Sequence, residues 1–261
     1  MILDTIAAST RQRVEAAKAA VSPKAMKQRA LALPAGSFAF EQALRKPGLS
    51  FICEVKKASP SKGLIAPDFP YLDIARDYEA AGASAVSVLT EPVYFQGLDS
   101  YLTEIKTVCR LPLLRKDFTV DSYQLYEAKT IGADAVLLIC ALLDTQTIRR
   151  YIRICDELGL SALVEAHTEQ EVMAALEAGA RIVGVNNRDL QTFEVRLETC
   201  EKLRPLVPPG VLFVAESGIQ TSADIRRLHR AGVDAVLIGE TLMRSPDRQA
   251  ALRDLREGGG V

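Results

Sequence analysis

A short pattern that recurs four times along the chain constrains the fold more than any other feature. Each copy places a glycine just before an apolar run, as in AGASAVSVL from Ala81 and AGVDAVLIG from Ala231. The other copies begin at Ile131 and Ala178. The shared glycines stand at positions 82, 132, 179 and 232. The end of a helix, a glycine that closes it and a buried strand produce this pattern.

Four further apolar runs lie between these copies, which brings the strand candidates to eight. They are centred near residues 52, 86, 113, 137, 163, 183, 213 and 236. Amphipathic patterns predict helices between them, at 71–81, 98–109, 122–131, 145–158, 169–178, 197–206, 222–231 and 246–255. Strands that are apolar on both faces and alternate with helices predict a parallel sheet covered by helices.

Eight such units, spaced about 26 residues apart, favour a closed (β/α)8 TIM barrel. The alternative is an open doubly wound sheet, which normally carries a glycine-rich phosphate loop after its first strand. Here the first strand continues into EVKKASPSKG instead. We therefore expect one domain over 1–261, with eight βα units in 50–257.

An N-terminal helical extension, 1–49, precedes the barrel. It is rich in alanine, lysine and arginine, and it is broken at Pro23, Pro34 and Pro47. Its composition is unlike that of a linker. We expect two or three helices that cap the bottom of the barrel or flank its mouth.

Charge and cysteine content limit the partners. The 261 residues include 32 basic and 33 acidic side chains, a balance that argues against a nucleic-acid or membrane-surface protein. Asp4, Arg11 and Glu15 stand where a secretion signal would have its apolar core. Five widely spaced cysteines and two histidines predict reduced thiols and no metal site. We expect a cytoplasmic monomer without a cofactor.

Polar residues end five of the predicted strands on the inward face. The barrel fold places chemistry at these carboxyl ends. Any one of them has an alternative interpretation as a solvated strand end or a structural ion pair. Together they would put several charges on one small mouth, which is typical of a functional site. They are Glu54, Lys56, Lys116, Glu165, Asn186, Arg188 and Glu216.

The last two strands suggest that the ligand carries a phosphate. Gly218 and Gly239 follow strands 7 and 8, where backbone N–H groups bind phosphate in many barrels. Ordinary turn glycines are the alternative. Ser59 and Lys62, in the polar loop SPSKG, are placed to close on the same phosphate, and we expect this loop to be a mobile lid. Phe118, near Lys116, would offer a platform to a flat aromatic ring.

Seven segments in order then resemble one family. They are ICEVKKASPSKG, SVLTEPVYFQG, LLRKDF, ALVEAH, VGVNNRDL, VAESGI and LIGETLM. This set resembles the indole-3-glycerol phosphate synthases of tryptophan biosynthesis over essentially the whole chain. The resemblance implies a metal-free and cofactor-free lyase that acts on 1-(2-carboxyphenylamino)-1-deoxyribulose 5-phosphate. The enzyme would close the pyrrole ring and release CO2 and water.

The resemblance also implies catalytic roles. Lys116 would be the acid for ring closure, and Lys56, held by Glu54, would bind the substrate carboxylate and is a candidate acid for the dehydration. Glu165 would be the base of the dehydration. Asn186 would bind a hydroxyl or orient that base. Glu216 and Ser217 would stabilise the anilinium-like nitrogen and the sugar hydroxyls.

The remaining roles concern binding. Phe95, Phe118 and Leu190 would form the anthranilate pocket, and Arg188 would contact the carboxylate or pair with a glutamate. Glu240 follows Gly239, so its amide would bind the phosphate while its carboxylate points away.

Three rival functions are less consistent with these residues. A Schiff-base aldolase usually carries its lysine at the end of strand 6, where Asn186 stands. A sister isomerase would need a cysteine base on strand 1, but Cys53 lies on the opposite face from Glu54. A non-catalytic phosphate-binding barrel should have lost some of the polar strand ends, and none of them is missing.

Overall fold

The structure, a computed structural model, describes residues 2–189 and 192–260. Eight parallel strands close into a barrel in chain order, and the first strand pairs with both the second and the eighth. The strands are β1 Ser50–Val55, β2 Ala85–Leu89, β3 Leu113–Lys116, β4 Ala135–Ile139, β5 Ser161–Ala166, β6 Ile182–Asn186, β7 Leu212–Glu216 and β8 Ala235–Ile238. All eight predicted strands and the closed barrel are confirmed.

The N-terminal extension forms three helices, α1 Ile2–Ala20, α2 Pro23–Ala32 and α3 Ala39–Leu44. A proline and a capping residue start α2, because Ser22 Oγ accepts a hydrogen bond from the backbone N–H of Ala25. The extension was expected to cap the bottom of the barrel or to flank its mouth, and its helices do both. The α1 helix flanks the mouth of the barrel, and α3 closes its bottom.

The helices of the repeating units cover the outside of the barrel. They are α4 Tyr71–Ala80, α5 Asp99–Val108, α6 Tyr123–Thr130, α7 Thr145–Leu158, α8 Glu169–Ala178, α9 Glu198–Leu203, α10 Ser222–Arg230, α11 Glu240–Met243 and α12 Arg248–Gly259. The helix predicted at 197–206 ends in a 3-10 turn, Arg204–Leu206, because Pro205 has no N–H to donate. The last helix begins at Arg248 rather than 246, since Asp247 caps it.

Two apolar layers hold the barrel together. The inner layer fills the barrel with alternate strand residues, and Phe40 and Leu44 of α3 seal its lower end. Phe40 is fully buried, which is worth about 1.5–3 kcal/mol for a side chain of this size. The outer layer packs the other strand face, such as Phe51 and Cys53, against the helices. The alternation leaves the inward residues at the upper strand ends pointing into the mouth.

None of the described helices is long and apolar enough to cross a membrane. The five cysteines are free; Cys140 is partly exposed and the other four are buried.

Candidate active site

The upper strand ends enclose a cavity of about 720 Å³. Every residue that the sequence analysis assigned to the site and that the structure describes lines this cavity. The set is Glu54, Lys56, Ser59, Lys62, Phe95, Lys116, Phe118, Glu165, Asn186, Arg188, Glu216, Ser217, Gly218, Gly239 and Glu240. Leu190 lies outside the described residues, so its place in the ring pocket stays a prediction.

The first charge pair joins Glu54 and Lys56 at the end of β1. The Lys56 Nζ lies 2.8 Å from Glu54 Oε1, and Ser87 Oγ donates to Glu54 Oε2 at 3.1 Å. Burial raises the pKa of Glu54, but the charges of Lys56 and Lys116 outweigh burial and lower it overall. Glu54 is therefore an ionised anchor that fixes the position of Lys56.

Lys116 lies between two buried carboxylates. Its Nζ is 3.5 Å from Glu165 Oε2 and 3.4 Å from Glu216 Oε2. Burial lowers the pKa of Lys116, but the charges of Glu216, Glu165 and Glu54 outweigh it, so the pKa is raised. Lys116 thus faces the cavity as a protonated ammonium group.

The two carboxylates beside Lys116 differ in charge. Burial raises the pKa of Glu216, Lys116 lowers it, and the charges of Glu165 and Glu54 raise it further, so that it lies at about 8. For Glu165 burial also raises the pKa, yet Lys116 and His167 outweigh it and lower it overall. Near neutral pH the site therefore holds an ionised Glu165 and a Glu216 that retains a proton. Opposed shifts of this kind separate acid from base roles.

Asn186 orients the ionised glutamate. Its Nδ2 donates to Glu165 Oε1 at 3.4 Å, while its Oδ1 accepts the backbone N–H of Arg188 at 3.0 Å. Of the two roles expected for Asn186, the geometry described here is the orienting one.

Glycines make room for the charged side chains. A Cβ at Gly184 would lie 2.2 Å from Glu216 Oε1, and a Cβ at Gly239 would lie 2.7 Å from Glu54 Oε1 and 2.9 Å from Lys56 Nζ. Glu216 Oε1 is buried and has no hydrogen-bond partner among the described residues. Gly239 was expected to let the backbone approach a phosphate, and the structure adds that it also accommodates the Glu54–Lys56 pair.

Ser217 directly follows Glu216 and has a left-handed backbone, with φ 66°. Asn187 supports this turn, since its Nδ2 donates to the carbonyl oxygen of Ser217 at 3.1 Å and its Oδ1 accepts the N–H of Cys200 at 3.2 Å. The following Gly218 also has a positive φ, 83°. The turn places both residues at the cavity wall.

The far end of the cavity is rich in cations. The loop expected to be a lid forms a short hairpin between the two-residue strands Ala58–Ser59 and Gly63–Leu64. Its Lys62 Nζ lies 3.3 Å from Glu240 Oε1, and Arg244 Nε donates to the same oxygen at 3.1 Å. Arg188 lies 3.9 Å from Glu240. The mobility of the hairpin stays a prediction.

Aromatic and aliphatic side chains also line the cavity. The rings of Phe95 and Phe118 lie 6.0 Å apart at an interplanar angle of 41°. Ile2, Leu3 and Ile6 of α1 also line the cavity. The cavity therefore offers a flat ring both apolar surface and ammonium groups.

Several supporting residues were missed by sequence reasoning. Glu91 accepts the backbone N–H groups of Val93, Tyr94 and Phe95, and so fixes the loop that carries Phe95. Asp117 accepts the N–H of Phe118 at 2.8 Å and pairs with Arg13 of α1 at 2.8 Å. Both acids follow the end of a strand, where the alternation of inward and outward side chains no longer applies. The signal that the sequence does carry is an acid, just after a strand, that precedes an aromatic residue by one to three positions.

The fold and the site together define a (β/α)8-barrel enzyme with paired lysines and glutamates at the carboxyl ends of its strands. A model of the family "Indole-3-glycerol phosphate synthase" matches residues 3–255. A protein of that name from Ruminiclostridium cellulolyticum is 62% identical over 257 residues, covering 98% of this chain and 99% of the relative. One from Endomicrobium trichonymphae is 54% identical over 258 residues, covering 98% and 100%. The chain belongs to the indole-3-glycerol phosphate synthase family.

Solved structures with little sequence similarity share the barrel alone. The 3-hexulose-6-phosphate synthase of Salmonella typhimurium has a TM-score of 0.66 at 15% identity, covering 80% of this chain and 98% of that one. The orotidine 5'-phosphate decarboxylase of Pyrococcus horikoshii has a TM-score of 0.61 at 14% identity, covering 80% and 98%.

Proposed function

We propose that this protein converts 1-(2-carboxyphenylamino)-1-deoxyribulose 5-phosphate into indole-3-glycerol phosphate, CO2 and water, without a metal or cofactor. The family membership supports this reaction. The observation that carries it in the structure is the position of Lys116, a buried ammonium group that faces the cavity between Glu165 and Glu216.

Ring closure is the first step. The aromatic carbon that bears the carboxylate attacks the ketone carbon of the sugar, and negative charge develops on the ketone oxygen. Lys116 donates a proton to that oxygen. The same ammonium group stabilises the developing charge before the proton moves, because it faces the cavity with its pKa raised.

Decarboxylation then restores the aromatic ring. The bond from the ring carbon to the carboxylate breaks, and its electrons return to the ring as CO2 leaves. Lys56, anchored by Glu54, binds the carboxylate until this point. Arg188 lines the same cavity and adds a second positive charge to the carboxylate's surroundings.

Dehydration completes the indole. The hydroxyl group formed from the ketone leaves as water after it accepts a proton, and a base removes a proton from the neighbouring carbon. Glu165 is the base, since its pKa is lowered and Asn186 holds its carboxylate. Lys56 is the candidate acid for the leaving hydroxyl. Glu216 and Ser217 contact the nitrogen and the sugar hydroxyls.

Binding uses the two ends of the cavity. The phosphate lies against the backbone of Gly218, Gly239 and Glu240, with Ser59 and Lys62 closing over it from the hairpin. The aromatic ring lies against Phe95 and Phe118. We further propose that the protein acts as a monomer in the cytoplasm.

The test is a fluorescence assay of indole formation from the carboxyphenylamino ribulose phosphate, in the presence and absence of excess EDTA. We expect turnover at the same rate in both. A protein that forms no indole product, or that loses its activity to EDTA and regains it with zinc or magnesium, contradicts the proposal. An analogue that lacks the phosphate should lose most of its affinity.

A further inference from the structure

The proposed base has a histidine behind it, outside the cavity wall. His167 lies two residues beyond Glu165, just after β5 ends at Ala166. The His167 Nε2 is 3.5 Å from Glu165 Oε1, and its Nδ1 is 3.4 Å from Glu171 Oε2. The imidazole therefore bridges two carboxylates, one at the site and one on α8.

Neither ring nitrogen of His167 has a hydrogen-bond partner among the described residues, and both are buried. A buried imidazole without hydrogen bonds is costly unless nearby charges compensate it. Burial lowers the pKa of His167, but Glu171 and Glu165 outweigh burial and raise it overall. The two carboxylates thus favour the imidazolium form.

Glu171 is itself held in place. It lies in the first turn of α8, where the helix dipole favours a negative charge, and its carboxylate accepts the backbone N–H of His167 at 2.6 Å. Its own N–H donates to Thr168 Oγ1, the cap of the helix, at 3.2 Å. A fixed Glu171 gives His167 a fixed position, and His167 then gives Glu165 a fixed partner.

We propose that His167 is a positioning residue that links Glu171 to Glu165, and so keeps the Glu165 carboxylate ionised and oriented. It acts through Glu165 and does not touch the substrate. The inference rests on the proposed role of Glu165 as a base.

The charge balance of the cluster explains why such a residue is needed. The groups that face His167 or its carboxylate partners are Glu165 on β5, Glu171 on α8, Glu216 on β7, Lys116 on β3 and Cys140 after β4. Lys116 contacts both Glu165 and Glu216, so it is not a partner of Glu165 alone. His167 and Asn186 both lie at Glu165 Oε1, whereas the Lys116 ammonium lies at Oε2.

The kinetic test compares His167→Asn with Glu169→Gln. Glu169 is an exposed acid in the same turn of α8 and serves as the control. Removing the imidazolium raises the pKa of Glu165, so the acid limb of kcat should move to higher pH by about one unit in the histidine variant. KM and the control profile should stay unchanged. An unshifted acid limb, with activity reduced equally at every pH, overturns the proposal and indicates a structural role.

A second measurement does not depend on activity. The chain has two histidines, so a His229→Gln background leaves the single imidazole of His167 for 15N NMR titration. Adding Glu171→Gln or Glu165→Gln should each lower the pKa of His167. An unchanged titration overturns the inference alone, even if the asparagine variant does not fold. If instead His167 responds but Glu165→Gln remains fully active, the base role of Glu165 fails and the positioning role fails with it.

Discussion

The two ends of the barrel use polar side chains in opposite ways. At the bottom, Asp134 and Asp234 stand at equivalent points of two repeats, and each accepts a backbone N–H of the preceding strand. The partners are Leu113 and Phe213, both at 2.8 Å. At the top, the ammonium group of Lys116 is shared by two carboxylates.

This difference separates stability from chemistry. A carboxylate with a backbone partner satisfies a donor that would otherwise be lost on folding, so the bottom end stabilises the protein. At the top, Glu216 Oε1 and both nitrogens of His167 are buried without a hydrogen bond among the described residues. Such groups cost stability, and Glu216, which lines the cavity, is available to a substrate. Variants at the two ends should therefore affect different measurements.

Replacing Lys116 should give the largest effect. A general acid typically contributes about 10²–10⁴-fold to the rate. Lys116→Met should therefore raise the barrier by about 3–5 kcal/mol. The loss should appear in kcat far more than in KM, because binding rests on the phosphate and ring contacts. Steady-state fluorescence assays at several substrate concentrations measure both constants.

A near-wild-type kcat for Lys116→Met would remove the acid role and make the lysine a structural ion. Borohydride treatment in the presence of substrate gives an independent check. We expect no covalent adduct, whereas a trapped adduct on Lys116 would favour an aldolase-like imine.

Placing a methyl group at Gly239 should have the next largest effect. The new Cβ would meet Glu54 Oε1 and Lys56 Nζ, so the pair must move. Misplacing a catalytic group by about 1 Å can cost 10²-fold, and we expect a drop of that order in kcat/KM. Gly179→Ala is the control, because that glycine also resists a side chain but closes α8, far from the cavity. It should lower Tm and leave kcat/KM unchanged. Equal activity losses in the two variants would contradict the division between the ends.

The sequence predicted the fold and the inward site residues well. Its eight βα units follow from local patterns, four of them marked by the recurring glycine. Strand alternation locates Glu54, Lys116 and Glu165 at the mouth because the period of a strand is two residues. The closed barrel was likewise predictable, since eight even units leave few other arrangements.

The supporting residues were less predictable for a physical reason. Arg13 meets Asp117 across 104 positions of sequence, and Glu41 on α3 pairs with Arg181 across 140. Such contacts depend on how the extension packs, which no local pattern records. The sequence also could not distinguish a substrate-binding Asn186 from one that orients Glu165, because both roles require the same position at the end of the strand.

Neutralising Glu216 should raise the free energy of unfolding, a smaller effect than those expected at Lys116 and Gly239. Its pKa of about 8 means that the folded protein keeps a proton which the unfolded chain, near 4.5, releases. Wild-type stability should therefore fall as pH rises between these values. Glu216→Gln cannot titrate, so above pH 8 it should be more stable than the wild type. The gap should close near pH 5. Urea denaturation at both pH values measures it, and parallel pH curves would contradict a protonated Glu216.

The smallest effect should come from the bottom of the barrel, at Asp234. Asp234→Ala leaves the N–H of Phe213 without its acceptor, and a lost hydrogen bond of this kind costs about 1 kcal/mol. Asp234→Asn keeps an acceptor oxygen and loses only the charge, so it should cost less than the alanine variant. Both should keep kcat and KM within a few-fold, because the residue lies at the opposite end from the cavity. Asp134 lies at the equivalent point two copies of the repeat earlier, and it accepts the N–H of Leu113 at the same distance. Asp134→Ala should therefore have a similar effect on stability and activity. Chemical denaturation gives the stability and the fluorescence assay gives the activity. If either alanine variant loses activity while retaining its stability, the two ends are coupled and the separation between them fails.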